Sequence, residues 1–412
     1  MTTASTLVTL DDIRAARALL DGVIRVTPVE PSRPLTALLG GAAWLKCENL
    51  QRAGSFKVRG AYVRIARLSD AERASGIVAA SAGNHAQGVA LAASTVGIDA
   101  RVFMPVGASL PKIAATRGYG AQVEFAGSTV DEALVAAWEY SRRTGAVFIH
   151  PFDHPDVIAG QGTVALEIFE QVPDVRTIVV GIGGGGLISG IAAAAKALRP
   201  GVRVIGVQAT GAAAFPLSLL AGSPQRLETC TTIADGIAVG CPGDLTFAHV
   251  SKLVDEIVTV DDEDISRGLL TLLERSKLLV EPAGAAAFGA LLARKAIVET
   301  PAVVVLSGGN IDPMLMLRVI EHGLTAAGRY LSVTVRCADR PGELVKLLAE
   351  LAGHGANVVD VDHRRRDQRL RLGEVEVNLS METRGPEHSA TVMAALRAAG
   401  YPLTLTVNRR TA

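Results

Sequence analysis

The sequence predicts an α/β protein in two parts, a long one with largely parallel sheets covered on both faces and a short C-terminal one with the order βαββαβ. Three observations predict it. From residue 76 to residue 207 short β-prone segments are each followed by a longer helical pattern, the cadence of parallel strands joined by crossover helices. Glycine-bearing loops follow several of these segments, and sheets of this kind bind ligands beyond the carboxyl ends of their strands. Past Gly328 the cadence changes, with four strand patterns around two helical ones.

In order along the chain, Asp11-Asp12 to Leu20 reads as a capped amphipathic helix. Thr27-Pro28, Pro31 and Pro34 then read as an extended connection toward residues 43–47. The expected strands of the long part are 76–80, 100–104, 122–125, 146–149, 177–181, 202–207 and 302–306, with helices at 89–95 and 188–198 among those between them. In the short part strands are expected at 330–336, 357–363, 372–380 and 403–407, and helices at 342–353 and 388–398.

Composition narrows the class of function. The 412 residues can bury a large core, and 41 basic against 41 acidic residues leave no field that would draw nucleic acid or a membrane surface. Small molecules are the expected partners. Cys47, Cys230, Cys241 and Cys337 show no CxxC or His-rich spacing, which argues against a disulfide framework and a zinc site and suits a reducing cytoplasm. The first residues lack a basic region ahead of an apolar run, so no signal peptide is expected, and apolar runs such as 191–197 are too short to span a bilayer.

The chemistry is concentrated in Gly54-Ser55-Phe56-Lys57-Val58-Arg59-Gly60, where one lysine stands between two glycines. Ser55 as a helix N-cap would put Lys57 in the first turn, where exposed N–H groups disfavour a cation and favour a neutral, nucleophilic amine. The plain alternative is a turn whose lysine points to water.

Three loops bear on that choice. Ser81-Ala82-Gly83-Asn84-His85-Ala86-Gln87-Gly88 offers hydroxyl, amide and helix-start donors suited to a carboxylate; the alternative is that Asn84 only caps its helix and His85 is solvated. Gly183 to Gly186, followed by Leu187 and a helix, can close backbone N–H groups on a phosphate; the alternative is a flexible linker, which rarely follows a buried strand directly. Ser307-Gly308-Gly309-Asn310 puts a hydroxyl where it can meet a ring nitrogen, or is a plain turn.

Together and in order, these motifs closely resemble the fold-type II pyridoxal phosphate (PLP) family of threonine and serine dehydratases, over about residues 6 to 325. The resemblance implies a two-lobed, tryptophan-synthase-β-like catalytic domain at 1–325, its smaller lobe spanning roughly 50–150, and PLP as cofactor. It implies that Lys57 holds PLP covalently, Phe56 flanks the ring, Asn84 bonds the ring hydroxyl, Gly183, Gly184, Gly185, Gly186 and Leu187 cradle the phosphate, and Ser307 faces the pyridine nitrogen. Ser81, Asn84 and His85 belong to the loop that, in that family, receives the substrate carboxylate. A serine at the ring nitrogen does not hold a proton there as a carboxylate would, which favours elimination over transamination.

Two departures sharpen the expectation. Related serine racemases carry a second serine in the first loop where this chain has Ala82, so racemisation should be poor. They also have carboxylates for a divalent cation where this chain has Gln208-Ala209-Thr210-Gly211-Ala212, so no metal is expected.

Residues 330–412, after a linker at 326–329, resemble an ACT regulatory domain of ferredoxin-like fold. The resemblance implies an amino-acid effector, isoleucine or valine, with Gly342 and Asn357 as candidate contacts, and a homodimer or homotetramer. Arg364, Arg365, Arg366 and Arg369 read as a solvated hairpin tip, since Asp367 and Glu374 lie close in sequence and aromatic residues are absent. The expected activity is deamination of L-threonine to 2-oxobutanoate and ammonia under allosteric control. The alternatives are a dehydratase of L-serine or 3-hydroxyaspartate, a β-replacement synthase, and an amino-acid-binding regulator without catalysis.

Overall fold

The computed structural model describes residues 7–365 and 370–405. The chain divides into two compact units, Met1–Leu315 and Met316–Ala412. That division falls inside helix Pro313–Ala326, whose last residue is the first of the expected linker 326–329.

The first unit holds two sheets. The larger runs Val29–Pro31, Ala43–Lys46, Ala302–Val305, Thr177–Gly181, Arg203–Ala209, Glu256–Val260, parallel throughout except at its first strand. Its central strands Thr177–Gly181 and Ala302–Val305 are buried at every position, so they read as unbroken apolar runs because helices cover both faces. The smaller sheet runs Gln122–Phe125, Ala100–Met104, Ile77–Ala80, Val147–Phe148, all parallel, and forms a lobe with its own core of Ile77, Val89, Val102, Met104 and Ile149.

The N-terminal helix is Leu10–Leu20, closed by a capping box between Thr9 and Asp12. The connection after it differs from expectation. A helix forms over Arg33–Leu39, capped by Ser32, and Pro34 stands in its first turn, where a missing N–H costs nothing. Strand Glu256–Val260 is a half-buried edge with no counterpart among the expected strands.

In the second unit the order is strand Tyr330–Ala338, helix Glu343–Gly353, strands Asn357–Arg364 and Glu374–Glu382, helix Pro386–Ala398 and strand Leu403–Leu405. The sheet is antiparallel throughout, and alternate residues Leu331, Val333 and Val335 face Val377, Leu379, Leu347 and Leu396 in one core. Arg366, Arg369 and residues 406–407 of the expected last strand lie outside the described residues. Of the other two arginines of that hairpin, Arg364 pairs with Asp362 at 2.7 Å and Arg365 with Asp339 at 3.5 Å. Among the described residues no helix is long and apolar enough to cross a membrane.

Candidate active site

Lys57 opens helix Lys57–Ala66 after two short 3₁₀ turns, Glu48–Leu50 and Arg52–Gly54. Ser55 does not cap that helix. Phe56 occupies the cap position without a side-chain bond, while Ser55 is extended, buried and without a partner for its Oγ. The reason is a competing backbone tie: Ser55 bridges Gly308, and Phe56 N donates to Ser307 O at 3.2 Å. Gly54 is needed just before this tie, since its φ is +69° and a Cβ there would stand 2.2 Å from Asn310 Oδ1.

The lysine amine donates to Pro151 O at 3.0 Å and lies 5.2 Å from the Phe56 ring centroid. Burial lowers its pKa from 10.5 to about 8, with Glu281 pulling the other way. Roughly one amine in ten is then neutral at pH 7, against about three in ten thousand for an ordinary lysine.

Ser81 follows strand Ile77–Ala80, and its Oγ accepts from Gly83 N at 3.1 Å. Helix Asn84–Val96 starts without a side-chain cap, so the Asn84 amide is not spent on its own helix. Its Nδ2 donates to Glu281 Oε1, and its Oδ1 accepts from Asn310 Nδ2 at 2.9 Å. His85 is buried with Nε2 2.8 Å from Ile149 O, and burial with the nearby Lys57 takes its pKa down to about 3. It is a neutral imidazole, so attraction for an anion in this loop falls to the helix-start N–H groups and Ser81.

The four glycines carry strand Thr177–Gly181 into helix Gly186–Leu198. Gly185 has φ +94°, and the first backbone bond of the helix runs from Ser189 N to Gly185 O, leaving the amides ahead of it for a guest. A Cβ on Gly184 would stand 2.3 Å from the Phe152 ring. The residue that accepts from Lys57 and the residue that walls the glycine loop are therefore neighbours in the chain, Pro151 and Phe152. Ser307, one residue beyond Leu306 and strand Ala302–Val305, is buried, and its backbone O accepts from Phe56 N, the residue before Lys57.

These features suit PLP. Its aldehyde needs a partly neutral amine, its phosphate a glycine-walled helix start, and its ring hydroxyl and nitrogen the polar groups of Asn84 and Ser307. Gln208 Oε1 accepts from Phe215 N at 2.9 Å, and among the described residues no group of three or more His, Cys, Asp or Glu side chains is placed to hold a metal. In the second unit Gly342 has φ +88° with open space where a Cβ would point, and Asn357 Nδ2 donates to Glu382 Oε2 at 2.9 Å.

Sequence reasoning missed Glu281. Its carboxyl is 3% exposed and raised to about 7 by burial and then by Asp235, against Lys112, Asn84 and Lys57. The available signal was one charge in the apolar run 278–293. Also missed was a buried network starting two residues past Lys57: Arg59 bonds Glu48 and Glu167, and Lys46 bonds Glu167. Lys112 and Asp235, 2.6 Å apart, form a further ion pair between helix Leu110–Gly118 and the short turn Asp235–Ile237.

Comparison with known proteins adds the following. The family described as pyridoxal-phosphate dependent enzyme matches residues 20–308, and the ACT domain family matches residues 331–400. L-threonine ammonia-lyase of Thermotoga maritima is 47% identical over 399 residues, 97% of this chain and 100% of that one. Maize serine racemase superposes with a TM-score of 0.73 at 37% identity, covering 78% of this chain and 99% of that one. The processed form of threonine deaminase isoform 2 from Solanum lycopersicum gives 0.72 at 36%, over 78% and 93%.

Proposed function

The chain belongs to the pyridoxal-phosphate-dependent enzymes and carries a C-terminal ACT domain, and from that premise we propose that it is a threonine ammonia-lyase, deaminating L-threonine to 2-oxobutanoate and ammonia. The observation that carries this reading is likeness along nearly the whole chain, ACT domain included, to an enzyme of that activity.

In this reading Lys57 Nζ binds the cofactor aldehyde, the amides from Gly183 to Leu187 hold the phosphate, Asn84 faces the ring hydroxyl, Ser307 the pyridine nitrogen, and Phe56 flanks the ring. Bound PLP supplies a carbonyl for the substrate amine and a ring that draws electrons from the α-carbon. Ser81 and the N–H groups that open helix Asn84–Val96, His85 among them, receive the substrate carboxylate. Lys57 Nζ, when free, would be the base that takes the α-proton, since burial lowers its pKa to about 8. Ser307 Oγ would offer the ring nitrogen no charge to hold a proton, an arrangement that suits elimination of the β-hydroxyl over transamination. Hydrolysis of the released enamine gives the oxo acid and ammonia.

Ala82 separates this reading from racemisation, because a methyl stands where the racemases carry their second base. Steady-state kcat/KM on L-threonine, L-serine and 3-hydroxyaspartate tests the assignment. Threonine should lead and give 2-oxobutanoate and ammonia one to one. One methyl in a pocket is worth about 1–3 kcal/mol, so a lead of that size for serine would replace the assignment with serine dehydratase.

The ACT domain is read as an amino-acid sensor for isoleucine or valine, with Gly342 and Asn357 as contacts, in a homodimer or homotetramer. Feedback by isoleucine suits an enzyme of isoleucine biosynthesis.

A further inference from the structure

The Asn84 amide is held at both ends. Its Nδ2 donates to Glu281 Oε1, and its Oδ1 accepts from Asn310 Nδ2 at 2.9 Å. Asn310 Nδ2 also donates to Ala53 O at 2.7 Å, so both of its hydrogens are committed and it can meet Asn84 only as a donor. An ionised Glu281 can meet Asn84 only as an acceptor. Turning the Asn84 amide over would face oxygen to oxygen at Glu281 and nitrogen to nitrogen at Asn310. One orientation survives, and it leaves Asn84 with a second Nδ2 hydrogen to give.

Glu281 is placed for this task. It heads helix Pro282–Leu292 but makes no side-chain cap there. Its N donates to Gly308 O at 3.0 Å, and its carboxylate turns toward Gly308 and Gly236. A Cβ on Gly308 would stand 2.5 Å from Glu281 Oε1 and 3.1 Å from Asn84 Nδ2, so the glycine there keeps the path from Glu281 to Asn84 clear. Leaving a carboxyl this deep in the protein is costly unless it is used.

We propose that Glu281 is a positioning residue that fixes the Asn84 amide with its N–H outward, so that the oxygen Asn84 faces is met by a donor and held deprotonated. This rests on the reading of Asn84 as the partner of the PLP ring hydroxyl. A hydrogen bond given to a charged oxygen favours the charged form, and one taken from a neutral hydroxyl favours the neutral form.

The test uses the full-length holoenzyme and reads the absorbance of bound PLP against pH, beside its dissociation constant. In Glu281→Gln the side chain can donate as well as accept, so Asn310 alone restrains the Asn84 amide, and the pKa of the absorbance change should rise by up to about one unit, with PLP bound up to about tenfold more weakly. Asn84→Ala should shift the same transition, and the double variant should add nothing to it. An unchanged spectrum in Glu281→Gln, or shifts that add in the double variant, would overturn the proposal. Should Glu281→Gln fail to fold, Asn310→Ala frees the other end of the amide and must move the transition the same way, or the proposal fails. A wild-type protein that binds no PLP would instead overturn the underlying reading, whatever the variants do.

Discussion

Lys57 Nζ donates to a neutral acceptor, the carbonyl of Pro151 at 3.0 Å, whereas Arg59 two residues on is bonded to two carboxylates, Glu48 and Glu167. The contrast explains why the buried guanidinium is held charged and the half-buried amine is free to lose its proton. Burial disfavours both charges, yet Arg59 is given bonded counter-charges, as Lys46 is, whereas the Glu281 charge acts on Lys57 only through space.

The first prediction follows from the lowered lysine. The rate at which the cofactor-free protein captures PLP should rise about tenfold per pH unit up to about pH 8 and level off above it, because capture needs the neutral amine. Stopped-flow absorbance measures this directly. A rate still climbing at pH 10 would mean an ordinary lysine, and Lys57→Ala should capture nothing.

The buried network predicts a stability effect separate from catalysis. Arg59→Ala leaves Glu48 and Glu167 buried without their main partner, and should cost about 3–5 kcal/mol. Arg59→Lys should recover only part of it, since one ammonium cannot fork to two carboxylates. Burial raises Glu167, but Arg59 and Lys46 more than offset it and hold it below its ordinary 4.5. Its contribution is therefore present above that value and lost as pH falls through the depressed one. Denaturant melts at pH 7 and pH 4 should show the gap between wild type and Arg59→Ala narrowing at the lower pH; an equal gap would show that the pairing is not what stabilises the core.

Ala82→Ser should increase D-serine formation from L-serine, because it adds a hydroxyl in the loop next to Ser81 and Gly83, where a second base would act. Chiral chromatography of residual substrate reads it out. Abundant D-serine from the wild type would contradict the role given to Ala82.

Much of this site was legible because its parts are local. Lys57, the four glycines and Ser307 each stand beside a strand end or helix start that the sequence marks, and parallel sheets gather such ends on one side. What stayed hidden depends on residues far apart in the chain. Ser55 looked like a cap because its competitor, Gly308, lies more than two hundred positions away, and Glu281 gave no sign of Asn84 for the same reason. Pro34 misled differently: proline ends a helix from within but is welcome in its first turn, and Ser32 decides which applies.

The last prediction concerns the second unit, whose described residues include no run of glycines at a strand end and whose Lys346 is exposed, so any influence on turnover must come through coupling. Gly342 leaves open space at the first strand-to-helix turn, while Asn357 at the start of the second strand is engaged with Glu382 at 2.9 Å. An effector that uses the Asn357 amide has to compete with that carboxylate, and Glu382→Gln, by weakening the pair, should tighten effector binding. Isoleucine should shift the apparent KM for threonine by a coupling of about 1–3 kcal/mol, five- to 150-fold. A chain ending at Gly328 keeps the whole of helix Pro313–Ala326 and should turn over threonine without that response. Isoleucine titrations on the full chain, the shortened chain and Glu382→Gln decide it. Equal, effector-independent kinetics in all three would leave the ACT domain without a sensing role, and an unchanged isoleucine affinity in Glu382→Gln would move the effector site away from Asn357.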